Sequence, residues 1–150
     1  MAKSNVRLDY DELEKLKEQI ERFGDPTQMD AFFASCAKEL AARLLAKVIK
    51  RTPVGQYPAG SGKTGGTLRR GWTADRNNSM KVTKRGSDYV IEIINPVEYA
   101  SYVEFGHRTR NHKGWVEGHF MLTISEDEIR RSAPSILEKK LETYLKGCFK

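Results

Sequence analysis

DPTQMDAFFASCAKELAARLLAKVIKRTP, residues 25–53, is the stretch that decides the fold. Asp25 followed by Pro26 marks a helix start. The carboxylate can accept from the free N–H groups of a first turn, and proline at the first helical position has the right φ and lacks an N–H that would find no partner there. Met29, Phe32, Phe33, Cys36, Leu40, Leu44 and Val48 then recur at helical spacing with alanines between them, which gives a broad apolar face. Thr52-Pro53 ends the run, because proline pushes the residue before it out of the helical region. The spacing predicts a helix over 25–50, roughly 37 Å long, as the central core helix.

Outward from that helix the signals are shorter. Residues 9–23 predict a separate helix, capped by Asp9 or Asp11, with acids in its first turns where the helix dipole favours them. Leu13, Leu16, Ile20 and Phe23 make one thin apolar stripe on it, and Gly24 fits its C-terminal cap. With the rest of its surface charged, this segment reads as an arm that packs on a partner or loosely on its own domain. Downstream, residues 55–71 read GQYPAGSGKTGGTLRRG, with six glycines and a proline. That composition predicts a long mobile loop. Strands are expected over 68–74, 81–85 and 89–94, with a turn at Gly86-Ser87. Pro96 breaks the last of them, and residues 97–105 predict a short helix with Tyr99 and Val103 inward and Gly106 as its cap. Residues 119–124 are expected to be extended. Ser125 and Glu128 form a capping-box pattern for a C-terminal helix, whose apolar residues keep phase across Pro134. That proline should kink the helix or mark its true start.

The resulting class is α+β: a long core helix and a C-terminal helix packed on a small antiparallel sheet, with an N-terminal helical arm. The chain is read as one domain over 1–150, with the arm at 1–24. Its 150 residues suffice for a core, and 39% hydrophobic with 31% charged residues is a globular composition. No apolar run nears the roughly 18 residues of a membrane helix, so no membrane partner is expected. The first seventeen residues have no apolar segment ahead of their acids, unlike a secretory signal, so the chain is expected to stay in the cytosol until it joins something larger. Cys36 and Cys148 have no paired spacing and read as a core residue and a tail thiol.

The net charge of +6 is unevenly spread. Residues 9–30 hold eight acids and three bases, and residues 47–85 hold ten bases and one acid. Such asymmetry suits nucleic-acid binding or two complementary faces that meet between subunits. Arg69, Arg70, Arg76, Lys81, Lys84 and Arg85 could contact phosphates, but no recognition helix accompanies them, and Trp72 is the only aromatic placed to stack on bases. A solvated basic face is the plainer reading. Gly62-Lys63-Thr64 matches the end of a phosphate-binding loop, yet Tyr57 stands where the pattern needs glycine, and glycines follow where a helix should open. His107, His112 and His119 lack a fourth ligand for zinc. No cofactor, metal or catalytic group is expected, which leaves a metal-dependent nuclease or toxin as the weakest of the readings.

Four short stretches carry a resemblance. A helix ends in Thr52-Pro53-Val54, and after a gap comes Thr67-Leu68-Arg69-Arg70-Gly71-Trp72. Residues 99–108 then read YASYVEFGHR, and 118–122 read GHFML before the last helix. This order resembles the HK97-type minor tail component family, related to tail-completion proteins of long-tailed phages, over about residues 35–145. The insertion QYPAGSGKTGG and the acidic arm before residue 25 stand outside that pattern. The resemblance implies an α+β virion protein of the neck or head-proximal tail end, with no enzyme activity and no cofactor. A tail with an axial channel needs cyclic symmetry, so the expected partners are the chain itself, as a six-fold ring, and neighbouring neck, tail-tube or tail-terminator proteins, with genome DNA passing through the channel. Leu13, Leu16, Ile20, Arg69, Arg70, Lys84, Arg85, Tyr102 and Phe105 are the candidate subunit-interface residues. The alternative is a nucleic-acid-binding accessory protein that uses 47–85.

Overall fold

A computed structural model describes residues 10–73 and 80–149. Helix α1 (Tyr10–Phe23) ends where the Gly24 N–H donates to the Ile20 carbonyl at 2.9 Å. The proposed cap Asp9, the side chains of Asp11, Leu13, Leu16 and Phe23, and the charges of Asp75 and Arg76 lie outside the described residues. Helix α2 (Pro26–Arg51) starts as its sequence predicts: the Asp25 carboxylate accepts from the Thr27 N–H at 2.9 Å and Pro26 opens the first turn. It stops at Thr52, extended at ψ 125° ahead of Pro53.

Thr52 is fully buried, and three contacts converge on it. Its hydroxyl donates to the Val48 carbonyl at 2.6 Å and accepts from Trp72 Nε1 at 2.7 Å. Its carbonyl accepts from Arg69 Nε and Nη2 at 3.1 and 2.6 Å. The end of the long helix thereby holds helix α3 (Thr67–Gly71) and the indole that follows it. Residues 68–74 were expected as a strand. Asn95 Nδ2 instead donates to the Leu68 carbonyl, and only Thr73 is bridged, antiparallel to Ile94. The gap after α2 is irregular through residue 66, and its last five residues are helical.

Strands β1 (Thr83–Arg85) and β2 (Asp88–Val90) form a hairpin against the first half of α2. The expected long second strand ends at Val90 apart from the bridge at Ile94. Helix α4 (Ala100–Phe105) is capped by Gly106 and runs into β3 (Gly106–Arg108), which pairs antiparallel with β4 (Trp115–Glu117). The sheet is thus in two separate two-stranded pieces.

Helix α5 (Met121–Cys148) begins four residues before Ser125, so the expected capping box is absent. Ser125 is inside the helix, where its hydroxyl donates to the Met121 carbonyl at 2.6 Å. Phe120 at the start is left-handed (φ 47°) and gives no side-chain cap. Glu104 of α4 caps the helix instead. Its Oε2 accepts from the Leu122 N–H at 2.9 Å, and its Oε1 from the Thr123 N–H at 2.8 Å and hydroxyl at 2.7 Å. The helix runs unbroken through Pro134.

α2 and α5 pack antiparallel along their lengths. Phe32 stacks on Tyr144, Glu39 pairs with Lys140, Lys47 with Glu128, and Arg51 with Ser125 and Glu128. The core, built from Val48, Leu68, Trp72 and Met121 with Leu44, Ile93 and Val103 against it, sits where α2 ends and α5 begins.

Candidate assembly interface

α4 and β4 crowd large apolar side chains onto one end of the molecule. Phe105 is 61% exposed, Tyr102 58% and Trp115 55%, with Tyr99, Val116 and Phe120 also exposed beside them. The backbone forces this. Gly106 turns the chain out of α4 at φ 84°, and any Cβ there would lie 2.4 Å from the Val116 carbonyl oxygen and 3.0 Å from Trp115 Nε1. Gly118 passes so close that a Cβ would come within 2.3 Å of the Glu104 carbonyl oxygen. With the strands drawn against α4, Phe105 meets Phe120 edge to face at 6.5 Å, and Tyr102 meets His107 at 5.7 Å. Beside them the irregular 53–66 segment and α4 enclose a groove of about 320 Å³, lined by Val54, Tyr57, Tyr99, Tyr102, His107 and His119. Tyr102, one of the candidate interface residues, is thus on the groove side of the hairpin with His107 and Val116, whereas Trp115, the neighbouring residue of β4, is on the other side beside Gly106, and Phe105, a second candidate, meets Phe120. The end of β3 and the turn after it add Arg108, Arg110 and Lys113, none ion-paired among the described residues.

The other candidates are dispersed. Arg69 is half-buried, with its guanidinium on the Thr52 carbonyl, and Arg70 reaches back to the Gly65 carbonyl at 3.3 Å. Lys84 pairs with Asp30 at 2.8 Å, and Tyr89 donates to the same carboxylate. Lys84, then Tyr89, hold the Asp30 carboxyl below its usual range, and Asp30 in turn raises both partners. Asp30 and Thr52 are about 33 Å apart along α2, so Arg69 and Lys84 cannot share a small patch. Lys47 and Arg51 lie on Glu128. The basic stretch 47–85 is therefore not one surface, and an acid from the 9–30 segment is neutralised within its own subunit. Arg85 and Ile20 are exposed.

The other sequence motifs are also located. Lys63 lies over the Tyr57 ring at 5.8 Å, and among the described residues no strand precedes the GKT segment. The helix that follows has only five residues. His107 and His119 line the same groove, and His112 sits apart in the β3–β4 turn. Cys36 is buried, and burial pushes its thiol up. No helix among the described residues is long and apolar enough to cross a membrane.

Residues 14–106 match the family described as "Bacteriophage HK97-gp10, putative tail-component". The chain belongs to that family. It is a bacteriophage structural protein, a tail component, as the order of motifs implied. The match begins inside α1, so residues 14–24 of the helical arm are part of the family pattern, where the motif reading had left the arm outside. It ends at Gly106, so the β3–β4 hairpin and α5 of this tail component lie beyond it. No curated protein and no solved structure matches the chain. Inside the matched stretch, Thr52, Arg69, Trp72 and Glu104 have structural work: they hold the ends of the two long helices.

Proposed function

We propose that this tail component is a ring-forming subunit of the neck or head-proximal tail end, which completes the tail and joins it to the head. It acts by binding copies of itself and the neighbouring neck, tail-tube or tail-terminator proteins, and it is not an enzyme. The observation that carries this reading is the exposed aromatic face of α4 and β4. Side chains of that size left in water cost burial free energy of about 1.5–3 kcal/mol each, which a protein partner recovers. The alternative, nucleic-acid binding through 47–85, loses support because Lys47, Arg51, Arg69 and Lys84 have partners inside the subunit. Electron cryomicroscopy of purified virions tests the proposal. The expected result is a closed ring of this chain at the head-proximal end of the tail, around the channel that DNA traverses. Absence from the virion, or a position remote from that joint, would overturn it.

A further inference from the structure

The described residues hold a second uncovered apolar surface. Between the first half of α2 and the second half of α5 lies a groove of about 450 Å³ lined by Met29, Phe32, Phe33, Leu137, Leu141 and Tyr144. Phe33 and Leu141 are both exposed at its edge. The aromatic face is tied to the opposite end of α5, because Glu104 holds α4 on Leu122 and Thr123. From Met121 to Leu141 is about 30 Å of helix. α1 ends at the groove end, where it joins α2, and its 14 residues are too short, at about 21 Å, to reach the aromatic face.

We infer that the α4/β4 face of one subunit docks into the α2/α5 groove of the next, with Phe105 and Trp115 as the inserted side chains. This rests on the ring reading and specifies its contact. One subunit cannot bring its own two surfaces together, but an identical neighbour can, and such an unlike pairing is the kind that closes into a ring. Charge points the same way. The 107–113 segment beside the aromatic face has three bases and no acid. Residues 10–25, which comprise α1 and the turn after it, hold six acids and three bases; Glu14, Glu18 and Glu21 are exposed alongside Lys15, Lys17 and Arg22, Lys17 is paired with Glu21, and Asp25 is close enough to act on the Tyr144 hydroxyl. Two-fold pairing through the aromatic face would set the basic turn against its own copy, which is unfavourable. Unlike pairing sets it against α1.

The test uses the full chain in purified virions. Trp115→Cys and Leu141→Cys are introduced singly and together, and particles are treated with a short bis-maleimide. A parallel sample receives an amine-reactive crosslinker. The expected result is a ladder of thiol-crosslinked subunits for the double variant above the background that Cys36 and Cys148 give in each single variant. An amine ladder without the thiol ladder would overturn the docking and leave the ring intact. Loss of the amine ladder as well would overturn both. Should the cysteine variants fail to enter particles, a charge reversal asks the same question. Arg108→Glu with Arg110→Glu should lower incorporation about tenfold, and Glu18→Arg with Glu21→Arg should restore it. No restoration would overturn the inference.

Discussion

Glu104 lies on a six-residue helix yet completes a different one of 28 residues. The first N–H groups of a helix have no internal partners, and their partial positive charge favours an anion. Here the anion is buried at 6% exposure and takes two backbone donors and one hydroxyl. Glu104→Ala should therefore cost about 2–3 kcal/mol, as expected for hydrogen bonds to a buried charge, and Glu104→Gln less, since the amide oxygen still accepts. Urea melts of the purified variants measure this, and equal stability of Glu104→Ala and wild type would refute the capping role. This residue also explains a misreading. From sequence alone, α5 begins at Ser125, because Ser125 and Glu128 have capping spacing. The actual cap is 17 positions upstream of Met121, and no local pattern encodes it. Thr52 and Trp72 behave alike: the Thr-Pro stop is visible in the chain, but the indole that buries the hydroxyl is visible only in three dimensions.

At the scale of elements, what could be read from sequence was what local chemistry decides. α2 is capped by Asp25-Pro26 and stopped by Thr52-Pro53, and both ends were predicted to within a residue or two. α3 was misread because Leu68 and Trp72 gain their positions from Asn95 and Thr52, not from a period of their own. Pro134 lies inside α5, where it leaves the Arg130 carbonyl without a helical donor. Pro134→Ala should raise stability by up to about 3 kcal/mol, read as an increase in Tm, and a decrease would mean that the ring of the proline is needed for packing. The α2–α5 seam has a pH dependence of known sign. Arg51, then Lys47, hold the Glu128 carboxyl below its ordinary range, and Lys140, then Arg43, do so for Glu39. A depressed folded pKa contributes stability that is complete above the unfolded value of about 4.3 and is lost as pH falls through the folded value. The Tm should therefore drop as pH goes below about 4, and Glu128→Gln should make that drop shallower. An unchanged acid limb would show that these pairs contribute nothing.

For the molecule as a whole, the candidate site was half legible. The aromatic crowding of 99–105 was visible in sequence, because a six-residue helix cannot turn that many large groups inward. The basic stretch 47–85 misled, because the partners that neutralise it, Asp30 and Glu128, come from distant parts of the chain. The groove between α2 and α5 was hidden, because a broad apolar face in sequence reads as core whether or not anything covers it. The two ends of the helix pair therefore differ in a way that time-resolved measurement can see. Val48, Thr52, Met121 and Ser125 are wholly buried at one end, whereas Phe33 and Leu141 stand open at the other. Local opening takes least energy where apolar packing is thinnest. In the free subunit, amide hydrogens near 48–52 and 121–129 should exchange with solvent deuterium slowest, and those near 29–36 and 137–145 fastest. Uniform exchange along α2 would contradict this gradient. The fold thus has an anchored end and a fraying end. The fraying end is the one a neighbour would set in place, so each subunit would stiffen only as the next one arrives.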